Sequence, residues 1–155
     1  MIELMAFRVG TGVRVAGTAH LVTASVRCTE GTETWYEHQL TGPGGLWLAV
    51  DTVPEGARVS LWRRQRTPAP VPGGDAVRLG GQVLRCVERG HGRYRAAGSL
   101  DALEHRAAGV LQYAEFRAGD QHAAYEQFGA GGKVLRGIRL PLGDVEIAPG
   151  ETERR

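Results

Sequence analysis

The sequence predicts a mainly β protein, and three observations carry this prediction. Glycine supplies 23 of the 155 residues, about twice its ordinary share, and the glycines separate short apolar runs as tight turns do. Within several runs apolar and polar side chains alternate, which is typical of strands with one buried face. The opening of the first half recurs weakly in the second half, which indicates an internal duplication.

The overall composition indicates a folded chain and excludes some functions. A chain of this length buries roughly two-thirds of its unfolded surface, so it needs no disulfide or metal in order to fold. Its net charge of +2 is too small to indicate nucleic-acid binding. There is no apolar run near the roughly 18 residues of a membrane span, and the N-terminus lacks the features of a secretory signal. We therefore expect a cytoplasmic protein with at most indirect membrane contact, in which Cys28 and Cys86 stay reduced.

The alternating runs define the predicted strands. Val13 and Val15 share one face and Arg14 lies on the other. The segments "WYEHQL" and "LWLAVD" have the same character and are separated by "TGPGG", residues 41–45, which suits a hairpin loop. We expect each half of the chain to form a small, curled antiparallel meander, with the two lobes packed in a barrel-like or sandwich-like arrangement.

A proline-rich segment divides the chain. Residues 65–75, "QRTPAPVPGGD", contain three prolines that resist both helix and central strand, so this segment is typical of a linker. The predicted organisation is an N-terminal β lobe over 1–64, a C-terminal β lobe over 76–148 and a polar tail over 149–155, all within one compact unit.

One segment is compatible with either helix or strand. In "SLDALEHRAAG", residues 99–109, Ser99 can cap a helix, and Leu100 and Leu103 fall on one helical face before Gly109 ends it. The surrounding segments are strand-like. A short helix near 99–108 and a further strand therefore both remain open.

The two halves match at several positions. "GTGVRVAG", residues 10–17, corresponds to "GGDAVRLGG", residues 73–81. Further along, the predicted equivalent pairs are Trp35 with Tyr113, Glu37 with Glu115, and Trp47 with Tyr125. A duplicated meander explains these matches, and it places an aromatic residue and an acid at the same point of each half.

These matched residues form the candidate binding site. On a strand, Trp35 and Glu37 share one face, whereas Tyr36 and His38 lie on the other. The set can be packing between the lobes, or it can be an aromatic and carboxylate pocket for a cation or a peptide. The candidate residues are Trp35, Glu37, Trp47, Tyr113 and Glu115.

The dense basic run "LWRRQR", residues 61–66, is a second candidate contact. Arg63, Arg64 and Arg66 could touch phosphates or lipid head groups beside Trp62. A solvated strand end explains the same pattern.

Catalytic and cofactor motifs are not found in the sequence. Glu37 and His38 are adjacent on a strand and point to opposite faces, so they cannot exchange a proton directly. The five histidines lack metal-ligand spacing. "GAGGKV", residues 129–134, lacks the first glycine and the final hydroxyl of a phosphate loop, and no GxSxG is present. We expect no enzyme activity, no cofactor and no metal site of local spacing; a zinc site assembled from distant segments remains open.

The order of these pieces resembles a bacterial family, domain of unknown function 4178. The resemblance rests on "VRVAG", "WYEHQL" and "LWLAVD" in the first half, and on "VRLGGQVLRCVERG" and "YAEF" in the second. It extends over residues 8–148 and is loosest in "AAYEQFG" and "VLRGIRL". The resemblance implies a compact β domain with no established activity. It also implies, at most, an accessory role beside membrane-stress or transport proteins.

Two functional hypotheses follow. The first is a non-catalytic binding or adaptor module whose partner is another protein or a second copy of the chain. The second is a small-ligand or metal sensor with its site in an aromatic and carboxylate cleft between the lobes. An enzyme with an acid–base pair assembled from distant segments is a remote third hypothesis.

Overall fold

The computed structural model describes residues 4–66, 74–103, 106–129 and 131–147. Eleven strands run through these residues. The first half contains β1 (Gly12–Val15), β2 (Thr18–Glu30), β3 (Glu33–Leu40), β4 (Leu46–Val53) and β5 (Gly56–Gln65). The second half contains β6 (Ala76–Leu79), β7 (Gln82–Gly98), β8 (Ala108–Ala118), β9 (Gln121–Phe128), β10 (Gly132–Leu140) and β11 (Val145–Ile147).

Eight of the strands close into an antiparallel barrel. Each half contributes a four-strand meander, β2 to β5 and β7 to β10. The meanders join through β5 with β10 on one side and through β2 with β7 on the other. Closure gives every barrel strand two hydrogen-bonded neighbours. The prediction of a mainly β fold is confirmed. The two halves share one continuous sheet rather than facing each other as separate sheets.

The remaining short strands cover the outside of the barrel. On the first meander, β1 and the C-terminal strand β11 lie over an outer apolar cluster that includes Leu48, Val50 and Val59. In the second half, β6 lies over a cluster that includes Phe116 and Tyr125. Because side chains alternate along a strand, the other set of residues points into the barrel. The alternating pattern predicted strands with one buried face, whereas the central strands are buried on both faces.

The strand register shows how the two halves correspond. Trp35 pairs with Asp51 across β3 and β4, as Tyr113 pairs with Glu126 across β8 and β9. One step along, Glu37 pairs with Ala49 as Glu115 pairs with Ala124. The predicted equivalences of Trp35 with Tyr113 and of Glu37 with Glu115 thus coincide with the register.

The predicted equivalence of Trp47 with Tyr125 is wrong. Trp47 belongs to the inner cluster of the barrel, whereas Tyr125 belongs to the outer cluster under β6. The register matches Trp47 with His122 and Tyr125 with Val50. The two residues were matched because both are aromatic, but an aromatic side chain can lie on either face of a strand.

A loop closes one end of the barrel. Leu103 ends a 3-10 turn, Asp101–Leu103, and is fully buried in the inner cluster with Trp47 and Phe128. This turn is all that the described residues show of a helix in the segment 99–109, since β8 begins at Ala108. Residues 104–105 lie outside the described residues, as do 67–73 of the predicted linker and the predicted tail 149–155. Within the described residues, no helix is long and apolar enough to cross a membrane.

Candidate functional site

The barrel encloses a cavity of about 720 Å³. It is bounded at one end by Thr32 and Thr52, near the turns that follow β2 and β4, and it reaches inward towards Trp47 and Leu135. Its walls carry all three tryptophans of the chain with one tyrosine: Trp35, Trp47, Trp62 and Tyr113. Six acids and one arginine also line it: Glu33, Glu37, Asp51, Glu88, Glu115, Glu126 and Arg58. A volume of this size suits a small organic molecule.

The inner pair of acids, Glu37 and Glu126, forms the deep cluster together with Lys133. Both acids are buried, at 5% and 9% exposure, and their carboxyl groups hydrogen-bond to each other. Burial, followed by the charge and hydrogen bond of Glu37, raises the pKa of Glu126 well above its ordinary value. Two carboxyl groups in contact inside a protein retain a proton between them, because two negative charges at this distance repel.

Lys133 supplies the positive charge of the deep cluster. It is 7% exposed, and its Nζ lies 4.0 Å from Oε1 of Glu126 and 3.8 Å from the centre of the Trp47 ring. This Nζ has no hydrogen-bond partner among the residues that the structure describes. Burial lowers the pKa of Lys133, while the two neighbouring glutamates act in the opposite direction. One ammonium beside two carboxyl groups that share a proton makes an electrically neutral cluster.

Asp51, Glu88 and Glu115 form the outer cluster, towards the end of the cavity that Thr32 and Thr52 bound. The carboxyl groups of Glu88 and Glu115 hydrogen-bond to each other. Burial, and then the hydrogen bond and charge of Glu88, raise the pKa of Glu115 to about 7. Burial also raises the pKa of Asp51, although Arg58 acts against this. The side chain of Arg58 lies opposite Asp51 in the register and is exposed.

The aromatic wall is held by polar contacts. The rings of Trp35 and Tyr113 meet edge to face, with centres 5.8 Å apart. Trp35 donates a hydrogen bond from Nε1 to Oε2 of Glu37 at 3.0 Å, and the Tyr113 hydroxyl donates to Glu30. Trp62 donates from Nε1 to Oγ of Ser60 at 2.8 Å. These bonds fix the orientation of the ring faces that a ligand would meet.

Two glycines make room for this wall. A Cβ on Gly137 would lie 2.5 Å from the ring of Trp62, its partner across the strands. A Cβ on Gly90 would lie 2.7 Å from the hydroxyl of Tyr113, which it faces across β7 and β8. A side chain at either position would push an aromatic ring out of place, so glycine is required there for space.

The structure brings the predicted site residues together. Trp35, Glu37, Trp47, Tyr113 and Glu115 all line the cavity. Whether they bind a ligand stays a prediction. Sequence reasoning missed Asp51, Glu126 and Lys133. The duplication could have revealed the two acids, since Asp51 and Glu126 occupy equivalent positions opposite Trp35 and Tyr113.

The predicted basic patch lies elsewhere. Arg63, Arg64 and Arg66 are exposed, and none of the three lines the cavity. Arg63 donates from Nη1 to the carbonyl oxygen of Pro43 at 3.1 Å and so packs on the turn between β3 and β4. A contact with phosphates or lipids at this patch stays a prediction.

His38 and the cysteines have structural surroundings. His38 is fully buried outside the barrel wall; its Nε2 donates to the carbonyl oxygen of Leu4 at 2.6 Å, and its Nδ1 lies 2.7 Å from Oγ of Ser25. Burial lowers the pKa of His38, so the neutral ring ties the N-terminal segment to β2. Cys28 and Cys86 are free thiols. Across the described residues, no group of three or more His, Cys, Asp or Glu side chains is arranged to hold a metal ion.

Comparison with known proteins agrees with the resemblance seen in the sequence. An uncharacterized protein of Mycobacterium tuberculosis and one of Mycobacterium bovis are each 26% identical to this chain over 149 residues, covering 90% of this chain and 70% of each relative. No solved structure matches the chain. The profile of the family described as "Domain of unknown function (DUF4178)" matches residues 8–142, and because this span is most of the chain, the protein belongs to that family.

Proposed function

We propose that this protein is a non-catalytic binding module that takes a small organic cation into its barrel. The observation that carries the proposal is the content of the cavity, which is lined by six carboxyl groups and all three tryptophans. This role corresponds to the small-ligand form of the sensor hypothesis drawn from the sequence, with an organic cation as the ligand.

The aromatic wall favours an organic cation over a bare metal ion. Faces of tryptophan and tyrosine attract ammonium groups through the ring quadrupole, and the attraction is greatest where water is excluded. Hard metal ions instead need several oxygen ligands that converge on one point. The chain already demonstrates the first type of contact, since the ammonium of Lys133 lies over the ring of Trp47.

The acids in the cavity cost stability, and this supports a functional role for them. Taking carboxyl groups out of water costs free energy, and pairing and hydrogen bonding offset this cost only in part. Apolar residues at the same positions would give a stable packed barrel without this cost. Unfavourable groups gathered in a cavity are typical of binding sites, where stability is lost for the sake of function.

The arrangement of the acids supports binding rather than catalysis. Among the described residues that line the cavity there is no histidine or cysteine to act as a base or nucleophile beside the acids. His38 lies on the outer face of β3 and cannot reach the cavity. A binding module needs only a charged and aromatic enclosure, which these residues provide.

The proposal is tested with n-hexylammonium as the probe. Its ammonium group has a pKa near that of lysine, about 10.4, and stays charged at neutral pH. All three tryptophans line the cavity, so binding should change the intrinsic fluorescence in a saturable way. We expect hexylammonium to bind at least tenfold more tightly than 1-hexanol, which has the same alkyl chain, and hexanoate not to bind.

Two comparisons make this test decisive. Glu146→Gln alters an exposed acid on β11, far in the fold from the cavity wall, and should bind the probe as the unaltered protein does. Equal affinity for 1-hexanol and hexylammonium would show that charge does not matter and would overturn the proposal. Native mass spectrometry of freshly purified protein would then identify any bound molecule by its added mass.

The adaptor role drawn from the sequence stays a prediction. The same holds for a protein or second-copy partner and for a cytoplasmic location. Val87 and Ile138 are more than half exposed beside a shallow depression on the barrel, and a partner would contact apolar side chains of this kind. The oligomeric state, read from the same native mass spectrum, tests whether a second copy binds.

A further inference from the structure

The two acid clusters occupy equivalent places in the duplicated barrel. Glu126 pairs with Lys133 across β9 and β10, as Asp51 pairs with Arg58 across β4 and β5. Glu115 of the outer cluster is likewise the equivalent of Glu37 in the deep cluster. The deep half therefore shows what this arrangement of residues can hold, since an ammonium group lies beside its acids and over an indole ring.

The outer half lacks the ammonium. Lys133 is buried against Glu126, whereas Arg58 also lines the cavity but is exposed, so that water screens its charge. In the outer cluster, Glu88 and Glu115 lie directly opposite each other across β7 and β8 and both line the cavity. A hydrogen bond between their carboxyl groups takes the place of a cation. A hydrogen bond between two carboxyl groups needs a proton on one of them. This proton is the part of the outer cluster that a bound cation can replace.

We propose that the ammonium group of the ligand binds at Asp51, Glu88 and Glu115 and displaces the proton that Glu88 and Glu115 share. This inference rests on the proposed function, since it places the cation within the same cavity. The O–H bond of the shared carboxyl group breaks, its proton leaves to the solvent, and the two carboxylates then accept hydrogen bonds from the ammonium. Uptake of one cation thus releases one proton.

Other charged groups face Glu115 and affect how strongly it holds its proton. They come from β4, β5, β7, β8, β9 and β10: Asp51, Arg58, Glu88, Arg117, His122, Glu126 and Arg139. The three arginines are exposed, so water screens their charges more strongly than that of a group in the cavity. The pKa of His122 is lowered by burial and then by Arg117 and Arg139, so this ring is neutral at pH 7 and adds no competing charge.

Calorimetry measures the exchange directly. Hexylammonium is titrated into the full-length protein at pH 6 in buffers with different ionisation enthalpies, and the dependence of the observed heat on the buffer gives the number of protons released. With a pKa of about 7 for Glu115, we expect release of about 0.9 proton at pH 6 and almost none at pH 8.5. The affinity should rise about tenfold between pH 6 and pH 8.

Matched variants locate the proton. Glu115→Gln should abolish the release at pH 6. Glu37→Gln, the equivalent change in the deep half, should keep it whatever it does to the affinity. Glu88→Gln alters an exposed side chain and serves if Glu115→Gln fails to fold. It removes the charge of Glu88 and lets an amide donate to an ionised Glu115, so the release at pH 6 should fall, although burial still favours the protonated form of Glu115.

The outcomes separate this inference from the proposed function. Failure of hexylammonium to bind at any pH would overturn both. Binding without proton release at pH 6 would overturn the inference and leave the cation-binding function standing. Release that is lost in Glu37→Gln and kept in Glu115→Gln would overturn it as well, since it would move the exchange to the deep cluster.

Discussion

The deep and outer halves of the cavity have the same design but differ in how their charges are balanced. Each half places an aromatic residue, two acids and one base at equivalent positions in the register. In the deep half the base, Lys133, is buried beside the acids. In the outer half the base, Arg58, is exposed at the cavity wall, and a proton shared by Glu88 and Glu115 stabilises the acids.

This difference indicates how a duplicated barrel becomes a receptor. If both clusters carried a buried base, the cavity would be neutral and its acids would be structural. If neither did, the chain would have to bury two uncompensated acid clusters, each at a cost of several kcal/mol. One acid cluster that a buried lysine already neutralises, together with one that has no buried base, gives a stable fold with a single place for a cation. The deep half can therefore be compared directly with the outer half, because the two are built from equivalent residues.

The largest effect is expected from removing the deep ammonium. Lys133→Met keeps the length and apolar contacts of the side chain but leaves Glu37 and Glu126 without a cation. Breaking a buried charge pair costs about 3–5 kcal/mol when the remaining charge cannot be neutralised. Here the two glutamates can take up a second proton, so we expect a loss of about 2 kcal/mol in the free energy of unfolding at pH 8 and a smaller loss at pH 5.

Arg58→Met is the matched control for this experiment. It removes the equivalent base from the outer half, where the side chain is exposed, and should cost less than about 0.5 kcal/mol. Urea unfolding of both variants at the two pH values checks the comparison. Equal losses would mean that the two halves do not differ in their charge balance, and the contrast between them would be lost.

The second largest effect is expected from filling the cavity. Ala49 lies opposite Glu37 on the cavity wall, and its small side chain leaves space for a ligand. Ala49→Leu should lower the affinity for hexylammonium at least tenfold while the barrel stays folded, since the added methyl groups enter a volume of about 720 Å³. Tryptophan fluorescence titration measures the affinity.

Ala19→Leu provides the control for that variant. Ala19 is exposed on β2, and the same substitution there should not change the affinity. Unchanged binding in Ala49→Leu would mean that the probe does not enter the barrel, and it would direct attention to the outer surface.

A smaller effect concerns the dependence of stability on pH. The pKa of Glu115 is about 7 in the folded chain, against an ordinary value of 4.5. The folded state therefore holds more protons than the unfolded state between these values, so its stability falls as the pH rises through this range. Glu115→Gln removes this loss. We expect its Tm to exceed that of the unaltered protein by about 3 °C at pH 8, equivalent to roughly 1 kcal/mol, and the two Tm values to converge at pH 5.

Thermal unfolding followed by circular dichroism checks this sign. A Tm for Glu115→Gln that lies below that of the unaltered protein at pH 8 would show that the ionised carboxylate of Glu115 stabilises the folded state. Its pKa would then not be raised in the fold, and it would hold no proton at pH 6 either. The shared proton would then be absent, and the proposed exchange would have no source.

The sequence predicts much of this fold because its local signals are strong. Alternation around Val13, and the turns rich in glycine, correctly indicate short antiparallel strands. Closure of the barrel could not be predicted, since it depends on pairing β2 with β7 and β5 with β10, and such long-range contacts leave no local pattern. The conformation of the segment that begins at Ser99 could not be predicted either. Its helical spacing of Leu100 and Leu103 serves to place apolar side chains against the inner cluster rather than to form a full helix.

The candidate site was predictable in part for the same reason. Trp35, Glu37, Tyr113 and Glu115 could be found because each stands in a matching segment of the duplication. Lys133 could not, because its importance comes from burial beside Glu126, and nothing in "GAGGKV" distinguishes a buried lysine from an exposed one. Burial of a charged residue depends on the closed barrel around it, so it can be recognised only after the fold is known.

The smallest effect compares two turns rather than two clusters. Ala16 and Gly17 connect β1 to β2 with φ values of 48° and 88°, and Gly80 and Gly81 connect β6 to β7 with φ values of 57° and 78°. Two-residue hairpins with positive φ at both positions favour Asn-Gly, because asparagine tolerates the left-handed conformation better than alanine does. Ala16→Asn should therefore raise the free energy of unfolding by about 0.5 kcal/mol. Gly80→Ala, which gives the second turn the composition of the first, should lower it by a similar amount. Urea unfolding of both variants checks the pair. A stabilising Gly80→Ala would mean that the two turns are not equivalent, although both follow strands at matching positions of the duplication.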